Sequence, residues 1–167
     1  MSSYFLLWPN APGDYSQWTP RGHYLNVNNV INVVESGATY NWTEATGSED
    51  MYNMGKLPYS GALSQVSMTV RLARDFTESS AGPDSQVRIG VRLSGTDWWG
   101  DTETLTQDWK HYSKSWDTNP DTSAEWQAAS VNAMQMGVLY AGGGQGRVDQ
   151  LYSICYVVET PTPTPVP

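Results

Sequence analysis

The sequence predicts an all-β chain: one antiparallel β-sandwich of jelly-roll type, with a single short helix and an extended Pro-rich C-terminal tail. Three observations predict it. Leu63 to Arg74 and Gln86 to Leu93 alternate apolar and polar residues, the period of a strand with one buried side. Residues 104–138 read as a polar strand, a turn, one helix and a return to β structure, which does not fit repeated β-α units. Thr160 to Pro167 alternates proline with threonine or valine, and proline has no N–H to give to a ladder. At 167 residues the chain has the size of one domain. The expected division is a sandwich over residues 1–159 and an extended tail or linker over residues 160–167.

The elements follow in order. Tyr4 to Trp8 is a first strand stopped by Pro9, and Asn10 to Asp14 has turn chemistry. Tyr24 to Val34 holds one or two short strands, Thr39 to Thr43 another, and Met51 to Met54 a third. In the clearest strand Val66, Met68, Val70 and Leu72 share one face. Val87, Ile89, Val91 and Leu93 do so in the next, and the two strands are expected to pair. Ser94 to Glu103 is a loop or tight hairpin, and Thr104 to Trp116 has the mixed faces of a sheet edge. Thr122 and Glu125 have capping-box spacing. Thr122 is therefore the expected N-cap of a helix at most about three to four turns long, anchored by Trp126 and stopped by Gly137. Gly142 to Gly146 is a flexible turn, and Arg147 to Glu159 is apolar on both faces near its end, as in a central strand.

Composition narrows the function. Net charge is −8 with nine Lys and Arg, which argues against a nucleic-acid partner. No window approaches the length of an apolar membrane span, so no membrane partner is expected. Met1-Ser2-Ser3 runs straight into a strand, without the basic start of a signal peptide. The one cysteine, Cys155, lies in an apolar run and reads as a buried hydrophobe. His23 and His111 are isolated. The Gly142 to Arg147 stretch lacks the Lys-Ser/Thr of a phosphate loop and reads as a hairpin turn. No nucleophile elbow or zinc spacing occurs, so no catalytic residue, metal site or cofactor is expected and the chain is read as non-enzymatic.

Three acidic groupings carry chemistry in principle: Glu49-Asp50, Asp97 with Asp101 and Glu103, and Asp117 with Asp121. A carboxylate pair suits glycoside hydrolysis only at a particular separation. The Asp97 group offers oxygen ligands for calcium without EF-hand spacing. For the Asp97 group a solvated acidic loop is the simpler reading, and sequence does not give the separation of the pairs. Asn41-Trp42-Thr43 is a formal glycosylation acceptor that reads better as strand. Eight Trp and ten Tyr stand against two Phe, a bias toward rings with a polar handle that suits interfaces. Trp98-Trp99 beside Gly100 cannot both enter one core easily. Trp98, Trp99 and Trp109 are the candidate ligand- or partner-binding residues.

Several segments also carry a family resemblance: Gln17-Trp18-Thr19-Pro20, Val66 to Arg74, Ile89 to Thr96, Leu105 to Ser113, Asn119 to Thr122, Trp126, Asn132-Ala133, Gly137-Val138 and Gln150-Leu151-Tyr152. Together they resemble jelly-roll, concanavalin- or lectin-like domains of tailed-phage structural proteins and uncultured-microbe surface proteins. The resemblance implies a virion role. With the acidic, aromatic-rich sandwich and the Pro-rich arm, it leads to a capsid decoration or fibre-like protein. That protein would be a homo-oligomer on the virion exterior, seated on major capsid or other virion proteins. The alternatives are a carbohydrate-binding module, extracellular or at the cell surface, with the tryptophans stacked on glycan rings, or a subunit of an extracellular filament.

Overall fold

The computed structural model describes residues 3–19, 40–74 and 84–158. The strand expected within Tyr24 to Val34, most of the loop after Arg74 and the Pro/Thr tail lie outside the described residues. Two antiparallel sheets face each other, with one short helix between strands. The first sheet runs in the order β1 (Tyr4–Leu7), β11 (Gly146–Val157), β5 (Ala62–Arg74), β8 (Lys110–Trp116). β3 (Asn41–Thr43) adds to β11 in line with β1, and β9 (Trp126–Gln127) adds to β5 in line with β8. The second sheet runs β2 (Pro9–Ser16), β4 (Glu49–Met54), β10 (Gln135–Gly142), β6 (Gln86–Leu93), β7 (Thr96–Thr104).

The period-two pattern maps onto this architecture directly. Val66, Met68, Val70 and Leu72 of β5 and Val87, Ile89, Val91 and Leu93 of β6 are buried in one core. They meet across the sandwich, because β5 and β6 belong to different sheets; the expected pairing of these two strands is corrected. Two apolar faces bury more surface by facing each other than by lying side by side. β11 is central, bonded to β1 and β3 on one side and β5 on the other.

Local chemistry explains the turns. β6 and β7 form a hairpin in which Leu93 pairs with Thr96 around Ser94 (φ 50°) and Gly95 (φ 84°), two left-handed residues as a type I′ turn requires. Gly142 to Gly146 is not a hairpin turn. It carries the chain from β10 in one sheet to β11 in the other, with positive φ at Gly142 and Gly143. Pro9 does not end β structure either: residues 9–16 form β2, an edge strand with a wide irregularity between Pro12 and Ser16, where proline is tolerated.

The helix α1 (Ala128–Ala133) is shorter than the sequence suggests. Its N-cap is Gln127, without a side-chain cap bond, and Met134 ends it. The capping box fails because Asn119 organises residues 119–124 first. Its buried side chain accepts from the Asp121 N–H at 2.9 Å, and its carbonyl accepts from the Ser123 N–H at 2.7 Å. Trp126 precedes the helix, pairs with Leu63 in β9, and donates its indole N–H to the Trp116 carbonyl at 2.9 Å. Gly137 lies inside β10, opposite Met51 and Gly90.

Candidate functional site

The two outer faces of the sandwich differ in what covers them. On the β2-β4-β10-β6-β7 sheet, residues 13–15 bulge out of β2 and fold back over the face. Asp14 accepts from Gln135 Nε2 at 2.8 Å and from Arg92 Nε at 2.8 Å, while its own N–H donates to Gln135 Oε1 at 2.8 Å. Arg92 also holds Asp97 at 2.7 Å and stacks over the Tyr15 ring at 4.8 Å. Gln135 and Arg92 thus hold the Asp14 carboxyl below its ordinary range, and the two carboxylates keep the Arg92 guanidinium firmly charged. Met51, beneath the bulge, is fully buried. Further along, a Cβ at Gly90 would overlap the Trp99 ring, so Trp99 lies flat over that strand. This face is closed by the protein's own side chains.

The outer face of the β1-β11-β5-β8 sheet carries no such cover among the described residues. The register places its side chains in rows across the sheet. Tyr4, Tyr156 and Gln65 form the first row, and Leu6, Ile154, Ser67 and Ser115 the second. Trp8, Tyr152, Thr69 and Ser113 form the third, with Trp8 and Tyr152 ring centroids 5.2 Å apart. A bulge in β11 then sets both Asp149 and Gln150 beside Arg71 and His111.

Side-chain size gives this face a step. The β1-β11 half carries rings: Tyr4 (58 % exposed) stands 6.2 Å from Tyr156, next to Trp8 and Tyr152. The β5-β8 half has a floor of hydroxyls. Thr69 Oγ1 and Ser113 Oγ lie 2.8 Å apart, and Ser115 Oγ donates to Ser67 Oγ at 3.0 Å. One end is closed by Trp109, whose ring lies under the Arg71 guanidinium at 5.4 Å and 6.2 Å from the Tyr40 ring. Arg147 stacks on the other side of this group, 4.9 Å from Tyr40. Arg71 is held further by Asp149 at 3.2 Å, and His111 Nε2 bonds Gln150 Oε1 at 2.9 Å. The result is a trough with flat apolar rings along one wall, donors and acceptors on the floor, and rigid strands throughout.

The candidate tryptophans do not converge. Trp98 packs against the core from β7. Trp99 covers Gly90 on the closed face. Trp109 sits at the end of the open trough. Sequence reasoning missed Trp8, Tyr152, Tyr156 and Arg71. Their signal was the outward register of β5 and β11, in which Arg71, Tyr152 and Tyr156 alternate with core residues.

The acidic groupings separate as well. Glu49 and Asp50 point to opposite faces of β4, and Asp97 is spent on Arg92. Among the described residues no group of three or more His, Cys, Asp or Glu side chains is placed to hold a metal ion. Asn41 is not available for glycosylation: it is buried and donates to Asp50 Oδ2 at 3.2 Å and to the Tyr52 hydroxyl at 2.8 Å. Burial pushes the Asp50 carboxyl up to about 7, although Tyr52, Asn41 and the Trp18 backbone all donate to it. No described helix is long and apolar enough to cross a membrane.

No family model and no curated protein sequence matches the chain. Solved structures do. A xylan-binding module, CBM15, shares the fold with a TM-score of 0.50 at 12 % identity, over 96 % of this chain and 100 % of that one. The CBM22-1-GH10 modules of endo-1,4-β-D-xylanase 10B of Clostridium thermocellum, complexed with xylohexaose, match at 0.47 and 8 % identity. That match covers 78 % of this chain, which spans only 24 % of the xylanase chain. A xylanase of Cellvibrio japonicus in complex with xylopentaose matches at 0.45 and 12 % identity, over 72 % of this chain and 23 % of that one.

The likeness to CBM15, a xylan-binding module, corrects the resemblance to tailed-phage structural proteins. The reading as a capsid decoration protein falls with it, as do the major-capsid partners and the virion-exterior location. The physical reason lies in the residues that carried the resemblance. Trp18, Trp126, Gly137 and the Ser94-Gly95 turn are core and turn positions, which report how a sandwich folds and not what it touches.

Proposed function

We propose that the chain is a non-catalytic module that holds an extended β-linked polysaccharide along the outer face of the β1-β11-β5-β8 sheet. The observation that carries this reading is the trough itself: Trp8, Tyr152 and Tyr156 along a wall, a floor of Ser67, Thr69, Ser113 and Ser115, and Trp109 with Arg71 at the end. A pyranose ring has a flat C–H face and a rim of hydroxyls. Indole and phenol rings suit the first, and hydroxyls, amides and guanidinium suit the second. Because Arg71 is already held by Asp149 and Trp109, little ordering cost remains on binding. The fold likeness to a xylan-binding module makes xylan the first polysaccharide to try. Such a module works outside the cell, where polysaccharides are met.

Affinity electrophoresis through gels containing xylan, mixed-linkage β-glucan or glucomannan tests this, followed by calorimetric titration. Trp8→Ala and Trp109→Ala should each weaken binding about tenfold, the worth of roughly 1.4 kcal/mol of ring contact. Trp99→Ala, on the closed face, should bind as the parent does. No retardation on any of these polysaccharides overturns the proposal.

A further inference from the structure

A cavity opens where the two sheets part. It lies at the seam between the edge strands β7 and β8, has a volume of about 260 Å³, and is lined by Ile89, Gly100, Asp101, Glu103, Ser113, Lys114 and Ser115. The lining is polar apart from Ile89. Lys114 extends across the seam onto Gly100, whose missing side chain leaves the room: a Cβ there would stand 3.1 Å from Lys114 Cδ and 3.2 Å from the Ile89 carbonyl oxygen.

Two of the lining residues already belong to the trough. Ser113 and Ser115 bond Thr69 and Ser67 on its floor and also form the rim of the cleft. β8 is the outer strand of its sheet, so among the described residues no strand walls the trough on that side. A group projecting from a glycan on β5 reaches the rim after one strand spacing, about 4.8 Å. Each serine hydroxyl, with one donor and two acceptor positions, keeps capacity beyond its neighbour on the sheet. Asp101 and Glu103 supply acceptors for sugar hydroxyls and Lys114 supplies a donor. The cleft offers no aromatic ring to stack on. Its volume falls below the roughly 300 Å³ at which sites for drug-sized ligands begin, which suits one monosaccharide and not a chain.

We infer that the β7-β8 cleft is a branch subsite: it takes a single hydroxyl-rich sugar substituent hanging from the polysaccharide in the trough. This rests on the glycan-binding reading proposed above and adds that the preferred ligand is substituted. Without aromatic contact the cleft adds affinity only to a ligand already seated in the trough.

The test uses matched pairs of oligosaccharides: linear xylohexaose against an arabinose-substituted xylo-oligosaccharide, and cellohexaose against a xyloglucan oligosaccharide. In at least one pair the substituted ligand should bind about tenfold tighter than the linear one. The double variant Asp101→Ala/Glu103→Ala should erase that excess while leaving linear binding and the unfolding midpoint as they were. Trp8→Ala should weaken both members of the pair equally. Linear binding with no excess for either substituted partner overturns the branch subsite alone. An equal loss on linear and substituted ligands in the double variant overturns it too. Binding of neither member of either pair overturns the glycan reading and this inference together.

Discussion

Asp50→Asn should flatten the pH dependence of this protein's stability. Asp50 is 2 % exposed, and the groups bonded to it, Tyr52, Asn41 and the Trp18 backbone, are neutral donors. Removal from water disfavours the carboxylate more than those donors favour it, so its pKa rises from 3.8 to about 7. Between those values the folded chain keeps a proton that the unfolded chain gives up. The stability from this group is therefore fully present below the unfolded pKa and is lost as pH rises through about 7. At about 1.4 kcal/mol for each tenfold step, the whole effect is about 4 kcal/mol, of which about 3 falls between about pH 4.5 and pH 8. Urea titrations followed by tryptophan fluorescence should show the midpoint falling by roughly 1 M or more over that interval. Glu49, raised by burial, acts in the same direction. Asp14, whose pKa is lowered, acts in the opposite direction at more acid pH. The comparison with Asp50→Asn isolates the one carboxyl. Parent stability that is level or rises between pH 4.5 and 8 refutes the reasoning, as does a variant that keeps the parent's slope.

Further outcomes follow from the core. Trp126→Ala removes a fully buried indole and its 2.9 Å bond to Trp116; it should cost about 3–5 kcal/mol, seen as a melting temperature lowered by roughly 10 °C or more. Gly90→Ala forces Trp99 off its strand and should cost about 1–3 kcal/mol, with a change in near-ultraviolet circular dichroism that a surface substitution such as Thr102→Ala does not give. Cys155 is buried and its thiol is pushed up to about 11, so a thiol reagent at neutral pH should label it at the rate of unfolding; rapid labelling of the folded protein contradicts the burial.

Much of the fold was legible in the chain itself. The alternation at Val66 to Leu72 and Val87 to Leu93 determined which side chains enter a core, because a strand's side-chain period is two wherever the strand lies. The two-sided apolar run at Leu151 to Val157 marked a central strand for the same reason. Helix length was not legible. The Thr122–Glu125 spacing competed with Asn119, whose side chain bonds the following backbone first, and Trp126 gained more from pairing beside β5 than from helix. Nor did the chain reveal that β5 and β6 lie in opposite sheets.

The site was the least legible part. Trp109 was visible as a candidate, whereas Tyr152 and Tyr156 lay in a strand apolar on both faces, so their outward side could not be told from the core side. Which outer face is covered depends on the bulge of residues 13–15 meeting Gln135, more than a hundred residues away in the chain. That contact covers one sheet, and among the described residues nothing comparable crosses the half-buried rings and the hydroxyls of the other. Periodicity is local and so is written in the sequence. Coverage of a face depends on long-range packing, and only the tertiary structure decides it.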